Sequence, residues 1–208
     1  MTNTIENEKS SAQFIYSIAD LLQNYLTTVP QEAERITVLL EQLASNDCHL
    51  TNRKNMIGHL TASALVINQS SHLLLIHHNG LKRWLQPGGH LNHDEDPESG
   101  ARRELIEETG LGGEGITLIH SPNSSARYIL PFDVDTHDIP ANPAKAEGEH
   151  RHHDFQYIYQ LDHKNEQPIV LQEDEVAKYK WVTIDQLATG DYGRRLSRVA
   201  LKLKSHLG

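Results

Sequence analysis

Apolar positions along the chain fall into three patterns in turn. Phe14, Ile15, Ile18, Leu21, Leu22, Tyr25 and Leu26 recur at the spacing of one helical face. Pro30 marks a new start, and Ala33, Ile36, Leu39, Leu40 and Leu43 form a second stripe. Together they predict an N-terminal helical hairpin within the first 48 residues. Ser45 to Asn55 is polar and reads as a linker. From His59 the period shortens. Ala62–Ile67 and Leu73–Ile76 are compact apolar runs separated by Asn68–Ser71, the pattern of a hairpin of buried strands. Further strands are expected at Ile116–His120, Arg127–Val134, Phe155–Leu161 and Lys180–Val182. Pro97–Thr109 reads as a helix, with Asp96 as N-cap, Pro97 at the first position and Gly110 at the stop. Leu196, Val199, Ala200, Leu203 and Leu207 give a last helix one apolar face. Strands interspersed with helices imply an α/β or α+β architecture.

Composition narrows the class. The 208 residues suffice for one domain and an appendage. With 23% charged and 38% hydrophobic residues, the chain reads as an ordinary soluble globular protein. No apolar run reaches the roughly 18 residues of a membrane span. Met1–Gln13 is polar and acidic, unlike a secretory signal. Cys48 is the single cysteine, which excludes an intrachain disulfide and a thiolate metal cluster and suits a cytoplasmic location. A net charge of −9 disfavours polymeric nucleic acid as partner. It leaves room for a small phosphorylated substrate, because a bound cation inverts the local potential.

Candidate chemistry centres on Arg103-Glu104-Leu105-Ile106-Glu107-Glu108. On a helix Glu104, Glu107 and Glu108 share one face, at i, i+3 and i+4. Such a face is either solvated or holds a hard divalent cation through carboxylate oxygens. The flanks weigh toward the cation. Pro87-Gly88-Gly89 allows a tight turn and close backbone approach to an ion or phosphate, and Glu95 and Arg103 have the charges of an ion pair.

The ordered set Gly89-x5-Glu95-x7-Arg103-Glu104-Leu105-x-Glu107-Glu108-x-Gly110-Leu111 resembles the Nudix box at every defined position. Trp84-x-x-Pro87-Gly88-Gly89, the preceding strand hairpin and Trp181-Val182 extend the likeness to about Gly58–Leu187, and the first 55 residues carry none of it. The resemblance implies an α/β/α sandwich with a mixed sheet, preceded here by the helical hairpin: residues 1–55 as extension, 56–208 as Nudix hydrolase domain with a C-terminal helix. It implies Mg²⁺- or Mn²⁺-dependent hydrolysis of the pyrophosphate linkage of a nucleoside diphosphate derivative. Carried over by position, Glu104 and Glu108 are the main metal ligands, Glu107 assists, and the Gly88 carbonyl completes part of the shell. Arg103 orients a helix glutamate and Glu95 pairs with it. The general base stays open between a box glutamate such as Glu107 and a later acidic residue, Glu147 or Glu149.

Other residues are weaker candidates. His150, His152 and Asp154 alternate, as does the upstream Asp133, Asp135 and His137. On strands they would share a side, either as hydrogen-bonded surface groups or as a substrate-pocket wall. Histidine also suits a transition metal. Trp84 either stacks on a base or packs under the loop. Tyr128, beyond the box, resembles a mark of dinucleoside polyphosphate hydrolases. A small nucleotide, a dinucleoside polyphosphate or a nucleotide sugar all fit. One rival is a Nudix-fold ligand-sensing module without catalysis. Another is an isoprenoid diphosphate isomerase, which needs a cysteine at its site, whereas Cys48 lies in the linker. The N-terminal hairpin is expected to be a packing element, a homodimer element or a lid.

Overall fold

The computed structural model describes residues 2–45, 47, 49–119, 129–143, 147–162 and 167–207. Helix α1, Thr2–Thr28, ends where Pro30 removes a backbone donor. A 3₁₀ helix follows over Pro30–Ile36, then α2 over Thr37–Ala44. The second stripe is therefore a tighter turn before a short α-helix, rather than one α-helix from Pro30. In a 3₁₀ helix residues three apart eclipse. That places Glu32 and Arg35 over each other, 2.7 Å apart in an ion pair.

The strands are β1 His59–Ile67, β2 His72–His78, β3 Arg83–Leu85, β4 Gly88–His90, β5 Ile116–Leu118, β6 Asp133–Ile139, β7 His150–Leu161 and β8 Val176–Thr183. Among the described residues they form one mixed eight-stranded sheet in the order β3-β2-β1-β7-β5, with β4 on β1, β6 on β7 and β8 on β2. Every residue of β1 is buried, as expected of a strand covered on both faces. β2 pairs antiparallel with β8, setting Leu74 opposite Trp181 and Ile76 opposite Tyr179. Helix α3 spans Pro97–Thr109, α4 Ile184–Ala188 and α5 Arg194–Leu207. The apolar stripe of α5 is buried at Leu196, Val199, Ala200 and Leu203, each side chain contributing on the order of 1–3 kcal/mol.

By compactness the chain divides into two units. One comprises Met1–Ala62, Gly89–Gly100 and His120–Phe155, the other Ser63–Gly88, Ala101–Ile119 and Gln156–Gly208. In the first unit the N-terminal helices lie against β6. The Arg35 guanidinium donates to Asp133 Oδ1 at 3.1 Å and to the Val134 carbonyl at 3.0 Å. The Tyr25 hydroxyl donates to Glu32 and accepts the Val134 N–H at 3.2 Å. Burial foremost, with the Asp133 charge and the bond to Glu32, pushes the Tyr25 phenol above its ordinary range.

The expected strand Arg127–Val134 is displaced. Residues 129–132 are not strand and the strand runs Asp133–Ile139, while residues 120–128 lie outside the described ones. The strand carries Asp133 and Asp135. Both are buried on β6 beside Arg35, a partner no local pattern announces. Likewise β7 begins at His150 rather than Phe155, and β8 covers Val176–Thr183 rather than Lys180–Val182.

Candidate active site

Helix α3 is fixed at both ends. Asp96 Oδ2 accepts the Ser99 N–H at 3.0 Å, an N-cap bond. Gly110, at φ +71, terminates the helix in a left-handed conformation that glycine adopts without strain. A Cβ there would also meet Val170 at 3.3 Å. Between these ends Ala101, Leu105 and Glu108 lie four and then three residues apart, and all three are buried. Glu108 therefore occupies the core-facing stripe of an otherwise polar helix, and only 2% of it is exposed.

The buried Glu108 carboxylate accepts the Gly88 N–H at 2.9 Å. Burial pushes its pKa up to about 8, and the charges of Glu104, Glu175 and Glu107 add to the rise against the Gly88 bond. Glu104 is half-buried, and its carboxyl is raised by burial foremost, opposed by Arg103. Arg103 Nη1 donates to Glu104 Oε1 at 2.8 Å and to Glu107 Oε2 at 3.1 Å, so one guanidinium ties two carboxylates together. Glu107 is exposed. The charges of Glu104, Glu175 and Glu107 all act on the buried Glu108, and carboxylate oxygens of this kind suit a hard divalent cation.

A family model for the NUDIX domain matches residues 58–200. The chain belongs to the Nudix family. It is a Nudix-type hydrolase, and members of the family generally use a divalent metal. The chain is 32% identical over 163 residues to a Lactococcus lactis protein named "Probable DHNTP pyrophosphohydrolase", covering 76% of this chain and 90% of that protein. It is 34% identical over 67 residues to an RNA pyrophosphohydrolase of Photorhabdus laumondii, covering 32% of this chain and 38% of that protein. Its fold is similar to the C. elegans Ap4A hydrolase in a binary complex, with a TM-score of 0.54 at 18% identity, covering 71% of this chain and 96% of that one. The E. coli dihydroneopterin triphosphate pyrophosphohydrolase gives 0.52 at 19% identity, covering 68% and 91%.

The remaining expected residues of this Nudix hydrolase lie as follows. Glu95 is half-buried before α3 and accepts the Asn92 N–H at 2.8 Å. Gly100 leaves room for Leu91, since a Cβ there would meet Leu91 Cδ2 at 2.3 Å. Trp84 on β3 has the Lys180 ammonium 4.0 Å from its ring centroid and the His77 ring edge-on at 5.2 Å. One face is thus covered by a cation from β8. Glu149 is exposed and Glu147 half-buried in the segment before β7. Tyr128 lies outside the described residues. Asp154 is buried and accepts the Thr61 hydroxyl at 3.1 Å. Pattern reading missed Glu175, just before β8, whose charge acts on both Glu104 and Glu108. It ends the acidic run Glu173-Asp174-Glu175, and its carbonyl accepts the Asn79 N–H at 2.7 Å where β2 and β8 pair.

His152 lies on β7. It belongs to a group of histidine rings in the first unit. The rings of His59 and His152 lie 4.8 Å apart, His90 and His152 4.9 Å, and His150 and His152 5.1 Å. Burial, with the neighbouring imidazoles, pushes the His152 pKa down to about 2, and burial holds His59 low as well. On the opposite face of β7, His153 is bracketed by Gln42 Oε1 at 2.8 Å and Thr136 Oγ1 at 2.9 Å.

Proposed function

We propose that this Nudix hydrolase cleaves the pyrophosphate linkage of a nucleoside diphosphate derivative with Mg²⁺ or Mn²⁺ held by Glu104, Glu107 and Glu108, and the Gly88 carbonyl as a further donor. The observation that carries the reading is Glu108, a carboxylate 2% exposed and raised to about 8 by burial and by the acidic groups around it. A buried acid kept among other acids is a liability to the fold and an asset to cation binding. When bound, the divalent cation neutralises phosphate oxygens and lowers the pKa of a coordinated water.

The chain's own groups supply the rest. Arg103 holds Glu104 and Glu107 in one arrangement through its two bonds. The Gly88 N–H fixes the orientation of Glu108. Glu95 secures the loop before α3 through Asn92, and we propose that it also pairs with Arg103. The proton of the attacking water goes to a carboxylate, and Glu107 and Glu175 are the candidates whose charge reaches Glu108. Glu149 is the candidate from the later loop. Residues 56–208 would form the catalytic domain and 1–55 its extension, in line with the matched range 58–200.

Small nucleotides, dinucleoside polyphosphates and nucleotide sugars are the substrate classes, and the Lactococcus lactis relative adds DHNTP. A panel of these compounds with Mg²⁺, assayed for released phosphate or pyrophosphate, tests the reading. The wild type turns over at least one compound, and Glu108→Gln lowers kcat/KM at least about 100-fold. Binding without turnover by the wild type would instead favour a ligand-sensing module. Glu107→Gln, Glu149→Gln and Glu175→Gln then assign the base: the correct one lowers kcat about 100-fold or more.

A further inference from the structure

Three buried or half-buried histidines of the first unit meet in a way that the carboxylate chemistry leaves unused. His59 opens β1, and His150 and His152 alternate at the start of β7. Each offers one ring nitrogen, and the three nitrogens lie within 4.8 Å of one another. We propose that His59, His150 and His152 form a transition-metal site of the zinc class, with three imidazole donors.

The hydrogen bonds assign the tautomers. His150 Nδ1 lies 2.8 Å from the Gly148 carbonyl, and a carbonyl only accepts, so Nδ1 carries the proton. Its Nε2 is therefore a bare lone pair. His59 Nδ1 lies 3.3 Å from the Asn55 carbonyl by the same logic. Its Nε2 is buried without a hydrogen-bond partner among the described residues, in a residue only 1% exposed. Anchoring one ring nitrogen on a backbone carbonyl while the other faces the ion is the usual support of a metal-bound histidine.

One nitrogen pair already has the separation of two ligands on one ion. His150 Nε2 and His152 Nε2 are 3.2 Å apart. Two ligands about 2.0–2.1 Å from a tetrahedral zinc are separated by about 3.3 Å. Without a metal, one proton must lie between these two nitrogens, and it comes from His152, because His150 has given its own to Gly148. Metal binding replaces that proton as His152 takes its Nδ1–H tautomer, so no charge need be created on any ring. His59 Nε2, which the proton cannot serve at the same time, then gains a partner. Neutral nitrogen donors select zinc, copper or nickel over magnesium. The His90 ring, 4.9 Å from both His59 and His152, is the candidate for the fourth position.

The test uses the full chain carrying Glu104→Gln, Glu107→Gln and Glu108→Gln, which removes the three proposed carboxylate donors. Stripped of metal, it is titrated with Zn²⁺ by calorimetry and with Co²⁺ by visible absorption. One equivalent binds, Co²⁺ gives the band of a four-coordinate ion, and His59→Asn or His152→Asn weakens binding at least about 100-fold. X-ray absorption of the zinc-loaded protein, which needs no histidine variant, shows imidazole nitrogens at about 2.0–2.1 Å. Binding unchanged in folded His59→Asn and His152→Asn, an absorption spectrum without imidazole scattering, or no uptake of either ion overturns the proposal. Should both variants fail to fold, the absorption spectrum decides. The carboxylate reading is judged separately, by turnover with Mg²⁺.

Discussion

A carboxylate on the core-facing stripe of a helix opposes folding unless something compensates it. Ala101, Leu105 and Glu108 of α3 form that stripe, and Glu108 has a single backbone N–H beside it at 2.9 Å. Replacing it by glutamine keeps an acceptor for Gly88 and removes the charge. Glu108→Gln should therefore raise the melting temperature of the chelator-treated protein, by a stabilisation of about 1 kcal/mol, while abolishing turnover. A lower melting temperature would mean that the buried glutamate is better paired than a glutamine can be. Asp47 presents the opposite case. Burial raises its carboxyl, yet bonds from Gln42, the His49 N–H and Asn55 outweigh that and hold it below 3.8. A carboxyl lowered in the folded state stabilises fully above the unfolded value and loses that contribution as pH falls through the folded one. Urea unfolding at pH 7 and pH 3 should show Asp47→Asn losing less stability on acidification than the wild type.

Elements became legible wherever one face of the pattern was apolar. Helix α3 follows its sequence signals residue for residue, because its cap, its proline and its terminal glycine are all local. Strand β6 does not, because Asp133 and Asp135 acquire Arg35 as a partner, for Asp133 from 98 residues away. Separation along the chain likewise explains Glu175, whose carbonyl meets Asn79 where β2 and β8 pair. His59 escaped for that reason too: a single histidine at a strand end, it joins His150 and His152 through β1. Arg35 is the residue on which the docking of the 3₁₀ helix against β6 turns. Arg35→Ala would leave Glu32 and the fully buried Asp133 side chain without their cation, destabilising the fold by about 3 kcal/mol. Chemical denaturation measures this directly, and a loss below about 1 kcal/mol would mean that water replaces the guanidinium.

For the whole molecule, the family match begins at residue 58, and the N-terminal helices lie outside it. Its apolar stripe is already buried within a single chain: Phe14, Ile15, Ile18, Leu21, Leu22 and Tyr25 are each at most 8% exposed. Hydrophobic burial of that extent makes the N-terminal helices part of the core of their unit rather than a detachable lid. Deleting residues 1–48 should lower soluble yield and increase binding of a hydrophobic dye, instead of changing KM alone. A soluble, cooperative truncation with altered KM would restore the lid.

The bond between Arg35 and Asp133 also has a consequence for synthesis on the ribosome. At about 5–20 residues per second, the 98 residues separating them take about 5–20 s to be made. During that interval Tyr25, Glu32 and Arg35 have left the peptidyl-transferase centre, and the strand that will receive them does not yet exist. The nascent helices must hold their apolar stripe in solution or on a chaperone until β6 arrives.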